Sequence, residues 1–405
     1  MANALTPMSP TYWSKIMGRK RYKTEVFKSI ASFEEQAVLT DGQIVDRPYR
    51  SDVVAESYTK GTALTAQDLT ATSNQLTVNQ FKGLLMYVDN VDKIQNKWSA
   101  AKVWAEEAQV RLSNLTDAYV LYEVVNANNT VDDGTLGGTS GNGITVTVNN
   151  ILNIFGKINR KLTVQNIPMD QRFFVISAEF YDVLWQYIAG KASLLGDKTG
   201  ETGNVGTFAS LLLYVSNNLT GQATLTSSTA AVPTATQTVT INGVVFTWQT
   251  TIGTTAGNVL AVTDRVTSLG NLKDLINNGG VGDGVNNVSL SLANQRIVQN
   301  WVATVSGTGA SCVLLVSAKG ASYMTVSTTD VGGTWTAALQ NQLLFAGHKG
   351  CVDVVIQQNP TVEMASTVAA GKSGMNILPL TVFGTKTFNQ GKNEMVKVPV
   401  RSDAY

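Results

Sequence analysis

The chain has 405 residues and a formal net charge of +1, and only 15% of its residues are charged. A typical soluble domain carries about 25% charged residues. A nearly neutral, sparsely charged surface suits burial against other copies of the chain. It argues against a dedicated nucleic-acid-binding protein, which usually has a strongly basic face.

Side chains that could perform catalysis are scarce. His348 is the only histidine, so a Ser-His-Asp triad would have to use it, and a His-rich metal site is excluded. It stands in Gly347-His348-Lys349-Gly350 between two apolar runs, which indicates a turn or a strand edge. The sequence therefore predicts no catalytic, cofactor-binding or metal-binding residues, and we expect neither an enzyme nor a cofactor.

Two glycine-rich segments approach known ligand-binding motifs without completing them. Gly371-Lys372-Ser373 matches the end of a phosphate-binding loop, but Ser366 stands where the first glycine is required. The segment 279–284 approaches a calcium-binding β-roll repeat, but Asp283 is one position early and no second copy follows. Both segments are interpreted as loops.

The cellular compartment is suggested by three further features. Cys312 and Cys351 have no C-x-x-C spacing and are interpreted as buried, unpaired thiols in a reducing compartment. No apolar run is long enough to span a membrane. The basic residues near the N-terminus are not followed by the apolar core of a signal peptide. We expect a protein made in the cytoplasm, with no membrane partner.

The first third of the chain divides into an arm, an extended segment and a helix. Residues 1–33 are basic, with a single acid, Glu25. Residues 34–90 alternate turn signals with short strand-like runs and have few apolar residues, which predicts a long two-stranded loop that leans on another part of the protein. Apolar residues then recur at spacings of three and four, which predicts a helix over 91–127, about 55 Å long.

The middle of the chain predicts a second helix with apolar positions from Val148 to Leu162. A buried strand, Arg172–Ile176, follows, and Ser177 is predicted to cap the next helix.

Residues 221–338 differ in composition from the rest. They contain eight charged residues, and Ser, Thr and Gly dominate. Two strand-like runs joined by Asn242-Gly243 are a strong hairpin signal, and Val266–Ile276 suits a short helix. Because strand-like runs flank this segment on both sides, we interpret it as a small β-rich domain inserted into another domain.

The order of these elements resembles the Hong Kong 97 fold of tailed-phage major capsid proteins. The resemblance covers nearly the whole chain outside 221–338. It rests on four stretches, each loose by itself but fairly specific in order and spacing: 41–60, Gln80–Asp92 with the long helix, Pro168–Leu184 and Val382–Lys386.

The resemblance implies an α+β capsid fold with an N-terminal arm, an extended loop, a spine helix, and peripheral and axial domains. The implied parts are 1–33 (arm), 34–90 (extended loop), 91–170 (spine helix and peripheral domain), 171–220 (first part of the axial domain), 221–338 (inserted β-rich domain), 339–378 (second part of the axial domain) and 379–405 (closing strands of the peripheral domain).

The resemblance also implies a function and a set of partners. Subunits of this family form pentamers and hexamers of an icosahedral head, with the extended loop, here about Thr40 to Asn90, lying across a neighbour. Scaffold and portal proteins, possible decoration proteins, and packaged double-stranded DNA contacted without sequence specificity are the implied partners. Some members cross-link through a lysine and an asparagine. Lys60 lies in the predicted loop, but no partner asparagine is matched, so cross-linking is not expected.

Three alternatives remain open at this point. An encapsulin-like bacterial compartment shell would share the fold, although the polar insertion and the basic arm weigh against it. A secreted adhesin or fibre would explain 221–338, but not the missing signal peptide or the long helix. An enzyme is disfavoured by the lone histidine and the incomplete motifs.

Overall fold

The computed structural model describes residues 23–401 apart from 40–41, 51–52, 96–99, 191–205, 322, 337–340 and 367–372. The α-helices in these ranges are α1 (Phe27–Ile30), α2 (Asn90–Gln95), α3 (Ala100–Tyr122), α4 (Ile151–Val164), α5 (Ala178–Ala189), α6 (Arg265–Asn277), α7 (Leu292–Val298) and α8 (Asn389–Asn393). Short 3-10 turns lie at Glu34–Gln36, Glu123–Asn126, Asp133–Leu136 and Gly309–Ser311.

The strands of the first half are β1 (Ile44–Arg50), β2 (Ala71–Thr77), β3 (Gln80–Gly83), β4 (Met86–Asp89), β5 (Asn129–Thr130), β6 (Arg172–Ile176), β7 (Thr207–Phe208), β8 (Leu211–Val215) and β9 (Thr220–Ser227). The remaining strands are β10 (Thr238–Ile241), β11 (Val244–Gln249), β12 (Asn258–Leu260), β13 (Trp301–Ser306), β14 (Val313–Ala318), β15 (Val326–Thr328), β16 (Gly333–Trp335), β17 (Asn341–His348), β18 (Asp353–Ser366), β19 (Gly374–Lys386) and β20 (Met395–Arg401).

The long predicted helix corresponds to α2 and α3, which is continued by the 3-10 turn Glu123–Asn126. Trp98, which the sequence assigns to this helix, lies outside the described residues. One side of α3 packs against β18 and β19. These two strands form a four-stranded sheet with β3 and β4. Residues 80–89 of the predicted loop therefore belong to this four-stranded sheet. Only β1 and β2 form a separate two-stranded hairpin.

A large sheet forms the centre of the rest of the molecule, with the order β13-β14-β9-β17-β6-β8-β7. Strand β17 organises it. One edge of β17 pairs with β20 along its length, and the other edge is shared by β9 and β6. Helices α4 and α5 cover one face, where Phe155 makes edge-on contacts with Phe174 and Phe208. Ser177 caps the start of α5, as predicted, because its hydroxyl accepts the Phe180 N–H at 3.2 Å.

The chain changes sheets between His348 and Asp353. Strand β19 spans residue 378, where the sequence places a domain boundary, and β20 lies in the large sheet. The domain assignments remain predictions, but the strand pairing shows that this stretch crosses between the two sheets twice.

Arg172 is buried at the start of β6 without a carboxylate as a hydrogen-bond partner. Its guanidinium donates to the carbonyl oxygens of Pro168 and Ile167 at 2.7 and 2.6 Å and to the Thr163 hydroxyl at 3.2 Å. These groups lie at and just beyond the C-terminal end of α4, where the helix dipole and unpaired carbonyls favour a cation. The arginine therefore fixes α4 to the sheet.

A second apolar core is drawn from residues 223–335 only. Two sheets contribute to it: β9, β13 and β14 of the large sheet, and the sheet β12-β11-β10-β15. The predicted hairpin is confirmed as β10–β11, with Ile241 opposite Val244. Asn242 and Gly243 both have positive φ, 47° and 78°, the backbone that a two-residue turn of this type requires. The predicted helix 266–276 is confirmed as α6.

The edge strand β13 is closed by a side chain. The Asn277 amide accepts the Ala303 N–H at 2.7 Å and donates to the Ala303 carbonyl at 2.9 Å. It occupies both backbone groups of Ala303 as a neighbouring strand would, so this residue of the edge is not open to another chain.

Arg265 and Asp330 form an ion pair inside this core, with each side chain only 1% exposed. The guanidinium contacts both Asp330 carboxylate oxygens and donates to the Ser227 hydroxyl at 2.8 Å. Close packing surrounds the pair, because a Cβ at Gly333 would lie 2.6 Å from the Arg265 guanidinium. Cys312 is buried beside it, with its thiol 3.1 Å from the same hydroxyl, and both cysteines are unpaired, as predicted.

We expect Asp330→Asn to lower the free energy of unfolding of this second core by about 3–5 kcal/mol, because it leaves a buried guanidinium without its counter-charge. Hydrogen exchange of the β10 and β11 amides measures the change. Asp274→Asn is the matched control, since Asp274 is 65% exposed and its ion pair is with the adjacent Lys273. Equal exchange in both variants would contradict the prediction.

Candidate subunit-contact surfaces

The β1–β2 hairpin is anchored only at its base. Its strands are paired from Ile44–Thr77 to Arg50–Ala71. At the base, Val45 and Leu76 enter a small apolar cluster with Val355 and Phe388. Beyond the last strand pair the chain forms a long tip.

Every described residue of the tip, 53–70, is exposed. The large apolar side chains among them are Val53, Val54, Tyr58, Leu64 and Leu69, and Leu69 is 79% exposed. The Gln67 amide bonds both backbone groups of Val54 at 2.5 and 3.1 Å and so ties the two sides of the tip together. Such a segment offers apolar area and extended backbone to another molecule.

Arg47 fixes the direction in which the hairpin leaves the molecule. Its guanidinium donates to Glu35 at 2.5 and 2.9 Å and to Asp353 at 3.1 and 3.3 Å, and it lies 4.2 Å from the centre of the Phe388 ring. These groups come from the segment before the hairpin, from β18 and from the residue just before α8. Burial opposes the charge, but the hydrogen bonds and charges of Glu35 and Asp353 outweigh burial and raise the pKa of Arg47.

A groove of about 690 Å³ lies beside this cluster. Its lining includes Arg47, Tyr49, His348 and Phe388. His348 ends β17 at this groove, which agrees with its interpretation as a strand-edge residue. Within the described ranges, no three His, Cys, Asp or Glu side chains come together in a way that could hold a metal ion.

The incomplete motifs of the sequence can be placed in part. The carboxylate of Asp283 accepts the backbone N–H groups of Val285, Asn286 and Asn287, so it closes a tight turn. These hydrogen bonds hold the pKa of Asp283 down, at about 2. The positions 371–372 lie outside the described residues, as does the tip residue Asp52.

The second core contacts α3 through the residue that follows β14. The Lys319 ammonium lies 3.9 Å from the centre of the Tyr119 ring and 4.7 Å from that of Tyr122. Lys82 of β3 lies 5.5 Å from the centre of the Tyr119 ring. A sequence reading does not find this group, because its members come from three distant segments. Burial and the charge of Lys82 lower the pKa of Lys319 to about 8, against the opposing effect of Glu123.

Neither a protein-family model nor a curated protein matches this chain. Solved structures match it along nearly its full length. A structure from Mycobacterium phage Che8 is 15% identical, with a TM-score of 0.57 over 96% of each chain. The capsid of cyanophage P-SCSP1u is 10% identical, with a TM-score of 0.54 over 99% of this chain and 95% of the other.

The chain has the fold of a bacteriophage capsid protein. The head structure of Helicobacter pylori bacteriophage KHP40 supports the same assignment, with 8% identity and a TM-score of 0.52 over 99% of this chain and 97% of the other. The predicted α+β capsid fold and the resemblance to phage capsid proteins are thereby confirmed at the level of fold. Within the described helices of this capsid fold, none is both long and apolar enough to cross a membrane.

We expect Arg47→Met to loosen the base of the hairpin. The free energy of local unfolding of β1 and β2 should fall by about 1.5–3 kcal/mol, since charged hydrogen bonds of this kind contribute in that range. Faster hydrogen exchange across β1 and β2, with unchanged exchange in α4, is the expected result. Arg50→Met is the matched control, because Arg50 is on the same strand and exposed. An effect of equal size in both variants would show that Arg47 has no special role.

We expect the stability of the junction between α3 and Lys319 to depend on pH. The folded pKa, about 8, lies below the ordinary value of 10.5. The unfolded chain therefore binds more protons between these pH values, and the folded state gains stability as the pH rises from 8 to 10.5. In Lys319→Met this gain should be absent. Denaturant unfolding of both proteins at pH 7.5 and pH 10.5 measures it, and an identical pH dependence would contradict it.

Proposed function

We propose that this chain is the major capsid protein of a tailed bacteriophage. In this proposal its subunits assemble into pentamers and hexamers of an icosahedral head that encloses double-stranded DNA. The observation that carries the proposal is the match to phage capsid structures, which covers 96% and 99% of this chain in the two cases. The role is structural and requires neither catalysis nor a cofactor.

The hairpin supports the proposal on physical grounds. Its tip exposes several large apolar residues, and every described residue from 53 to 70 is exposed. A segment of this kind is stabilised when a neighbouring subunit covers it. The polar insertion and the phage origin of the matched structures favour a phage head over an encapsulin-like compartment shell.

The proposal also assigns partners and a location. Scaffold and portal proteins would direct assembly in the host bacterial cytoplasm, and the finished protein would reside in the virion capsid. Decoration proteins are possible partners of the insertion 221–338. Packaged DNA would touch the inner face without sequence specificity.

Electron microscopy of the chain, alone and co-expressed with candidate scaffold proteins, tests the proposal. We expect icosahedral shells, or free pentamers and hexamers. A chain that stays monomeric under every assembly condition would refute the proposal.

The hairpin can be tested in the same assay. We expect the triple substitution Val53→Ser, Val54→Ser and Leu69→Ser to reduce shell yield at least tenfold without unfolding the subunit, because all three side chains are exposed. A control triple in the insertion, Val281→Ser, Val285→Ser and Val331→Ser, removes similarly exposed apolar side chains. Normal shells from the hairpin variant would show that the tip does not contribute to assembly.

A further inference from the structure

The turn that leaves β14 fits tightly against α3. Gly320 has a φ of +70° and a Cβ placed on it would lie 3.0 Å from the Ala118 side chain. The preceding residue, Lys319, covers the rings of Tyr119 and Tyr122. Lys319 and Gly320 therefore contact one short stretch of the helix, 118–122.

The N-terminal segment reaches the same turn. The Lys23 ammonium donates to the Gly320 carbonyl at 2.6 Å and to the Asn217 carbonyl at 2.9 Å. Asn217 lies just before β9, the first strand of the second core, and Gly320 lies just after β14. One side chain thus bridges the chain that enters this core and the turn that rests on α3.

The residues next to Lys23 are held by the same part of α3. The buried Asp117 carboxylate accepts the N–H groups of Val26 and Phe27 at 2.9 and 2.8 Å, and it accepts the Asn218 amide at 2.7 Å. The N-terminal segment and the start of the second core are therefore joined through the Asp117 carboxylate as well as through Lys23.

The two types of contact differ in burial. Asp117 is fully buried, whereas Lys23 is exposed as a residue even though burial of its ammonium lowers its pKa. The Lys23 bridge can open into solvent without uncovering an apolar core, whereas the Asp117 contacts cannot. The bridge is the part of this junction that can open and close while the rest of the fold persists.

We propose that residues 318–321 are a latch that holds the second core against α3, and that Lys23 closes it. The position of the N-terminal segment then controls how firmly the second core is held. Because coupling between two sites is reciprocal, a well-seated turn also holds the N-terminal segment.

Hydrogen exchange of the full-length protein tests the latch. In Lys23→Met we expect amides of 217–221 and 318–321 to exchange at least five times faster, while α4 and β10–β11 are unchanged. Lys28→Met is the matched control, since Lys28 is 68% exposed and pairs only locally with Glu25. Unchanged exchange at 318–321, or a uniform increase along the whole chain, would overturn the proposal.

The reciprocal experiment starts from the turn. Gly320→Ala is strained by its positive φ and meets Ala118, so it should unseat the turn. We then expect faster exchange of the Val26 and Phe27 amides, about 300 residues away in sequence but joined through Lys23. If Gly320→Ala loosens only 318–321, the turn and the N-terminal segment are independent and the latch does not exist. Neither result depends on shell assembly.

Discussion

Between Asp117 and Glu123, helix α3 and the first residue of the following 3-10 turn contact four parts of the chain that are far apart in sequence. Asp117 accepts hydrogen bonds from the N-terminal segment and from Asn218. The Tyr119 ring lies 5.4 Å from the Phe383 ring, centre to centre, and contacts the Lys319 ammonium. Glu123 accepts a hydrogen bond from the Thr387 hydroxyl at 3.0 Å. The rest of the structure depends on this stretch, because the two sheets and the second core meet there.

Asp117 is the most constrained group of this stretch. Burial raises the pKa of its carboxyl, while hydrogen bonds from Asn218, Val26 and Phe27 oppose that shift. A buried carboxylate is tolerated only with several donors. Two separate segments supply them, the N-terminal segment and the residues just before β9, so this one carboxylate joins both segments to α3.

The β1–β2 hairpin, unlike the buried Asp117 contacts, exposes most of its surface. The base is held by Arg47 and a small apolar cluster, and the described residues of the tip, 53–70, are all exposed. A rigid base with an exposed apolar tip presents the tip at a defined angle. Under the proposed function this arrangement leaves exposed apolar surface for a neighbouring subunit.

The sequence by itself determined the local elements and the fold class. The Asn242-Gly243 turn, the Ser177 cap and the buried strand Arg172–Ile176 were predictable, because turn chemistry, capping and apolar runs act within a few residues. The order of parts was enough to indicate a capsid fold. The tertiary structure alone decided the pairing of Arg265 with Asp330, the partners of Arg47 and the seat of Lys319. Each of these joins residues from segments separated along the chain, and sequence spacing carries no information on which distant side chains meet in space.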